Sequence, residues 1–131
     1  MSTQLIYHEY SFEKLNVWQN SIDFVKMIYQ ITDNFPKTEV YGITSQLRRA
    51  VVSIPSNIAE GSTKKTLKDQ ARFTEIAFGS LIETLTQMII ACKLNYISND
   101  DLSVVRLEIE NISRQLNALK ASQMKRQVLN N

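Results

Sequence analysis

A chain of 131 residues has the size of one domain and buries about two thirds of the surface its unfolded form exposes, enough for a single sizeable core. Three glycines and two prolines are too little turn punctuation for a many-stranded sheet, while abundant Leu, Ile, Ala, Gln, Glu and Lys favour helix. A formal net charge of +2 excludes attraction of the whole molecule to nucleic acid as a polycation, so any such binding depends on where the charges sit.

Cys92 is the only cysteine, which rules out a disulfide within the chain and any Cys-x-x-Cys metal or redox pair and suits a reducing cytoplasm. Met1 to Tyr10 lacks the basic stretch and following apolar run of a secretory signal, and secretion is not expected. Apolar runs such as Met88-Ile89-Ile90-Ala91-Cys92 fall far short of the roughly 20 residues that cross a bilayer, so no membrane association is expected.

The first helix is expected to start near Asn16, a good N-cap, and to end before Phe35-Pro36, because proline disfavours helical geometry in the residue before it. Trp18, Ile22, Val25, Tyr29 and Thr32 recur at helical spacing and form a seam expected to face a core. Val17, Phe24, Ile28, Ile31 and Phe35 form a second seam beside it.

A second helix follows from about Tyr41-Gly42-Ile43-Thr44 to Glu60-Gly61, with Gly61 expected to act as its stop. Ile43, Leu47, Ala50, Val51, Ile54 and Ile58 make its apolar face, and Gln46, Arg49, Ser53, Asn57 and Glu60 a separate polar stripe. Pro55 has no N–H for the carbonyl of Val51, so it either kinks this helix or starts a fresh turn after Ser53.

A long third helix is expected from about Thr66 to Leu94, with Ala71, Ala77, Phe78, Leu81, Leu85, Met88, Ile89 and Cys92 on its inner face. Gly79 lies on the opposite face, where it is either merely tolerated or marks close approach of another backbone. Ser98 or Asn99 caps a fourth helix whose first turn carries Asp100 and Asp101, favourable at the positive end of the helix dipole. Its seam, Leu102, Val105, Ile109, Ile112, Leu116 and Leu119, repeats at threes and fours like that of a bundle helix.

Short links between long helices imply an all-α, antiparallel up-down four-helix bundle, one domain over residues 1–131 with an N-terminal tail over 1–11 and a frayed C-terminal tail over 123–131. The two-seamed first helix, together with Phe73 and Ile76 on the third, leaves more apolar surface than one core uses. Self-association is the expected outlet.

Chemistry finds little footing. His8, the only histidine, lies in the tail, which excludes the Glu-x-x-His metal sites of bundle oxidases and the usual base of a serine or cysteine nucleophile. Gly42, Gly61 and Gly79 are too scattered for a phosphate loop, and Cys92 reads as a small core residue. No catalytic centre, cofactor, metal or small-molecule substrate is expected.

Three polar features remain. Between Thr44 and Arg72 six cations, Arg48, Arg49, Lys64, Lys65, Lys68 and Arg72, stand against Glu60 and Asp69, a net of +4. This is either a solvated helix face or a set of phosphate contacts to RNA or DNA, for which Arg48, Lys64, Lys65, Lys68 and Arg72 are the candidates. Lys120, Lys125 and Arg126 form a second cluster that also complements the negative end of the fourth helix. Gln46, Arg49, Ser53, Asn57 and Glu60, with Gly79, are the candidates for a subunit contact, Arg49 offering its fork to a carboxylate.

Three stretches carry a family resemblance: Phe12-x-x-Leu15-x-Val17-Trp18; Phe35-Pro36-x-x-Glu39-x-Tyr41-Gly42-Ile43-Thr44-Ser45-Gln46-Leu47-Arg48-Arg49-Ala50; and Ser53-Ile54-Pro55-Ser56-Asn57-Ile58-Ala59-Glu60-Gly61. They closely resemble the bacterial four-helix bundle proteins first known from intervening sequences in 23S ribosomal RNA genes. Ala77-x-Gly79-Ser80-Leu81-x-Glu83 extends the match, which covers about Phe12 to Lys120.

The resemblance implies an antiparallel four-helix protomer, a ring-shaped homopentamer, and kinship with the accessory protein of diversity-generating retroelements, which binds nucleic acid through a basic surface. After Gly61, Ser62-Thr63-Lys64-Lys65-Thr66 departs from the Gly-Arg-containing link more typical of the family. The expected function is therefore a non-enzymatic homo-oligomer presenting a basic surface to RNA or DNA. The competing expectation is a scaffold whose partner is another polypeptide.

Overall fold

The computed structural model describes residues 5–130, with side chains described through Arg126. Four helices follow one another, α1 Asn16–Thr32, α2 Ile43–Ser62, α3 Leu67–Lys93 and α4 Asn99–Asn130, with short 3-10 turns at Ser11–Lys14 and Lys37–Glu39. Sequential helices pack side by side and α1 also meets α4, which closes an antiparallel up-down bundle. An Asn20 Nδ2 to Gln115 Oε1 hydrogen bond of 3.0 Å joins α1 and α4.

Three of the helix boundaries have a clear local cause. Thr66 caps α3 by accepting the Asp69 N–H at 3.1 Å, and Ser98 does the same for α4 through Asp101 at 3.0 Å, satisfying donors that a helix start leaves free. At the end of α3 the chain turns through Asn95, whose φ of 61° is left-handed, while Tyr96 N–H reaches back to Ala91 O at 2.9 Å. This is the Schellman geometry that releases a chain from a helix, with Asn where Gly is commoner.

The core matches the apolar face expected for α2, with Ile43, Leu47, Ala50, Val51, Ile54 and Ile58 buried, and the middle of the one expected for α4, with Val105, Ile109, Ile112 and Leu116 buried and Leu102 and Leu119 at its ends partly so. Each fully buried Leu, Ile or Val contributes about 1.5–3 kcal/mol over its exposed state. α2 runs unbroken through Pro55, itself buried, so the proline removes one donor without ending the helix.

Three expectations change. On α1 the core seam is Val17, Phe24 and Ile28, continued by Phe35, whereas Ile22 and Tyr29 of the other seam are exposed and Trp18 and Val25 only partly buried. Ser21 decides between the seams. It lies on the buried one and satisfies itself by donating to Trp18 O at 2.7 Å.

Gly61 is not the helix stop. α2 continues to Ser62, Thr63 ends it in a right-handed conformation, and no glycine among the described residues has a positive φ. A Cβ on Gly61 would stand 2.8 Å from Phe73 Cβ, so this glycine marks a close approach of α2 to α3. Gly79, by contrast, faces open space.

The stretch from Gln123, expected to fray, continues as helix to Asn130. Gln123 is buried and accepts from Thr74 Oγ1 at 2.9 Å, a polar anchor that apolar periodicity does not register.

α3 combines length with a mean hydropathy of 1.3 over 18 residues, enough by composition to cross a membrane. In the bundle it lies between α2 and α4, burying Ala71, Ala77, Leu81, Met88 and Ala91 together with Thr74, Ser80, Thr84 and Gln87. A helix covered on two sides is apolar for that reason.

Candidate functional site

Two polar regions occupy different parts of the bundle surface. The first is the groove between α2 and α3. Tyr41, Ser45, Gln46 and Arg49 line it from the start of α2, with Ser53 beyond them and Ser80 and Glu83 facing from α3, around a volume of about 540 Å³. Ser53 and Ser80 share a 2.8 Å hydrogen bond, and Asn57 Nδ2 donates to Ser53 O at 2.8 Å and to Ser53 Oγ at 2.9 Å. The middle of the expected subunit-contact stripe is thus satisfied within one chain.

Its ends are not. Arg49 and Glu60 are exposed and enter no salt bridge among the described residues. Glu83, on the opposite wall from Arg49, accepts only from Gln87 Nε2 at 3.3 Å. A guanidinium and a carboxylate on facing walls, each without an ionic partner, suit complementary charges on another surface. Tyr41, 95% exposed at the mouth of the groove, and the α3 residues Ser80 and Glu83 were not singled out as contacts. Their signal was present in the motif that contains them, but spacing along the chain does not show which helix faces which.

The second region lies at the α2–α3 turn. Lys65, Lys68 and Arg72 are exposed and form no salt bridge among the described residues. Lys68 and Arg72 stand one turn apart on α3 and so share a face. Lys64 is half-buried, its Nζ 4.8 Å from the centre of the Phe73 ring, an arrangement that holds the ammonium while leaving its donors outward.

The structure unites two clusters that the sequence kept apart. α4 runs antiparallel to α3, and the Thr74–Gln123 and Glu75–Lys120 pairs set a register that brings Lys125 and Arg126, both exposed, to the end of the bundle where Lys65, Lys68 and Arg72 lie. Asp69 and Glu75 are carboxylates on α3 near these cations, and Lys120 is already paired with Glu75.

Arg48 does not belong to this set. It stands 14 residues before Ser62, the last residue of α2, about 21 Å along the helix from the α2–α3 turn. Its Nη2 meets Asp33 Oδ1 at 2.8 Å, its Nε donates to Thr32 Oγ1 at 3.0 Å, and its guanidinium carbon lies 4.5 Å from the Tyr29 ring centre. These contacts fasten α2 to the end of α1.

His8 stacks edge-on against Tyr10 with 4.6 Å between ring centres. Cys92 is partly buried against the core and its Sγ donates to Asn99 Oδ1 at 3.2 Å. No cluster of three or more His, Cys, Asp or Glu with metal-binding geometry occurs among the described residues.

Comparison with known proteins settles the family. The family model of the 23S rRNA-intervening sequence protein matches residues 13–118. The chain belongs to this family. A solved structure from Bacteroides thetaiotaomicron, described as a protein of unknown function from the S23 ribosomal protein family, superposes with a TM-score of 0.71 at 20% identity, over 79% of this chain and 97% of that one. At that identity the likeness speaks for the shared bundle fold alone. No curated protein matches the chain.

Proposed function

We propose that this member of the 23S rRNA-intervening sequence family is a non-enzymatic, cytoplasmic homo-oligomer, a pentameric ring in the pattern its family resemblance implies, that offers the α2–α3 turn to the phosphate backbone of RNA or DNA. The observation that carries the reading is that Lys65, Lys68 and Arg72 are exposed and form no salt bridge among the described residues, at the end of the bundle that also holds Lys125 and Arg126. Lys64 adds its ammonium from the ring of Phe73. Arg48, an expected phosphate contact, serves the α1–α2 joint instead.

Such a surface binds by charge and releases counterions, so its affinity falls steeply with salt and depends little on sequence. Repetition of the patch around an oligomer raises the effective concentration of each further contact. Self-association is supported by the exposed Ile22, Tyr29 and Val52 and by the ionically unpaired Arg49 and Glu83.

Fluorescence anisotropy with duplex and single-stranded probes at low and physiological salt tests the reading. Salt-sensitive binding to either probe is expected. Absence of binding at low salt overturns the nucleic-acid part, and a stable monomer by light scattering at micromolar concentration overturns the assembly.

The exposed apolar residues also favour a second reading, a scaffold for another polypeptide. A defined protein partner whose binding survives nuclease treatment, with no affinity for the probes, would select it.

A further inference from the structure

Between α1 and α2 runs a shallow apolar groove. Trp18, Ile22 and Val25 form one wall and Val52, Pro55 and Ala59 the other, around about 330 Å³, with Phe12 closing the Trp18 end. Ile22 and Val52 are exposed. From Trp18 the α1 wall continues to Tyr29, eleven residues or about 17 Å along the helix, and there Arg49 lines the adjoining hollow with Tyr29 and Val52.

The same chain carries an apolar segment that stands exposed among the described residues. Leu5, Ile6 and Tyr7 precede the Ser11–Lys14 turn outside any helix or strand, and all three are at least 80% exposed. Rings at His8, Tyr10, Phe12 and Trp18 follow one another at 4.6, 6.1 and 5.3 Å between centres and lead from this arm to the mouth of the groove. Extended, Leu5–Tyr10 spans about 20 Å, close to the length of the groove.

We infer that the N-terminal arm, Leu5–Tyr10, of one copy lies in the α1–α2 groove of a second copy, with Leu5 toward Trp18 and Glu9 at Arg49. The direction follows from charge and reach. Arg49 and Glu9 have no salt bridge among the described residues, and they sit at the ends that meet in this orientation.

In cis the order is reversed. Phe12 holds the arm's root at the Trp18 end, and three extended residues carry Glu9 only about 10 Å from it. Arg49 lies near Tyr29, beyond that reach. An arm folded onto its own groove would thus set Glu9 against the apolar end and Leu5 against Arg49. Passing the arm to a neighbour matches apolar to apolar and anion to cation, and a head-to-tail contact of two unlike surfaces is the kind from which rings are built when the rotation between copies closes. The inference rests on the self-association proposed above and names the element that performs it.

The test replaces Cys92 with Ser and compares two differently tagged single-cysteine proteins, Tyr7→Cys and Val52→Cys, mixed under mild oxidation. A mixed disulfide joining the two tags is expected, well above the level given by Tyr7→Cys with the α4 surface variant Glu110→Cys. A yield no higher than that control overturns the inference, as does a Tyr7→Cys/Val52→Cys double variant that closes only within single chains.

Deletion of Met1–Glu9 removes no buried residue among those described, so the bundle should fold. Its association is expected to weaken about tenfold or more, the usual consequence of losing central apolar anchors. Unchanged assembly of the deletion variant overturns the arm's role and leaves oligomerisation standing. A monomeric parent protein overturns both.

Discussion

Arg48 on α2 and Asp33 at the end of α1 are joined at 2.8 Å, and the same guanidinium bonds Thr32 and covers the face of Tyr29. The ion pair alone is worth little, since Asp33 is 73% exposed and surface pairs contribute about 0–1 kcal/mol. The hydrogen bond to Thr32 and the ring contact each add roughly 0.5–1 kcal/mol. Arg48→Ala is therefore expected to lower unfolding free energy by about 1–2 kcal/mol in urea titration while leaving nucleic-acid affinity unchanged. Arg48→Lys is expected to recover only part of the stability, because an ammonium lacks the planar fork. Affinity lost with stability intact would return Arg48 to the binding surface.

Gly61→Ala gives a second test of the helix crossing. On an exposed helix this change would stabilise by about 1 kcal/mol. Here the new methyl meets Phe73 Cβ at 2.8 Å, an atom fixed to the α3 backbone, and overpacking of this kind costs about 1–3 kcal/mol. A net loss is expected in thermal melts. Gly79→Ala, with open space around it, is expected to gain about 1 kcal/mol, and a loss there in the isolated protomer would contradict the placement of Gly79.

The contrast between these glycines marks how far the sequence could be read. Four helices and the buried faces of α2 and α4 follow from periodicity because each has one dominant apolar stripe. α1 has two, and only the fold shows that Val17, Phe24 and Ile28 face inward. Gly61 lies at a helix end, where a stop signal and a close crossing look alike in one dimension. The candidate site was legible in part. Lys65, Lys68 and Arg72 were visible as a run, but the arrival of Lys125 and Arg126 at the same end of the bundle depends on the antiparallel register of α3 and α4, and the engagement of Arg48 depends on the α1–α2 contact.

The αL turn at Asn95 offers a local check on the α3–α4 connection. A side chain with a Cβ pays about 1–2 kcal/mol in this region of backbone space, a cost that Asn and Gly evade best. Asn95→Ala is expected to destabilise the bundle by about 1 kcal/mol and Asn95→Gly to be neutral or slightly stabilising, by chemical denaturation. Equal effects of the two would show that the φ of 61° is not what fixes this turn.

Electrostatics at the basic end should act in both directions. Lys68→Gln with Arg72→Gln removes two candidate phosphate contacts, each worth roughly 0.7–0.9 in the slope of log affinity against log salt, so the slope is expected to flatten by about 1.4–1.8 with all sequences weakened alike. Glu75→Gln removes a carboxylate from among the cations and frees Lys120 from its pair. Binding at low salt should therefore tighten, with a steeper slope if Lys120 gains a phosphate. Because the side chains of Glu75 and Lys120 are 57% and 41% exposed, the accompanying loss of stability is expected to stay below about 1 kcal/mol. Anisotropy titrations of the parent, the double variant and Glu75→Gln across a salt series measure all three slopes, and a Glu75→Gln protein that binds more weakly than the parent would place the phosphate surface elsewhere on the bundle.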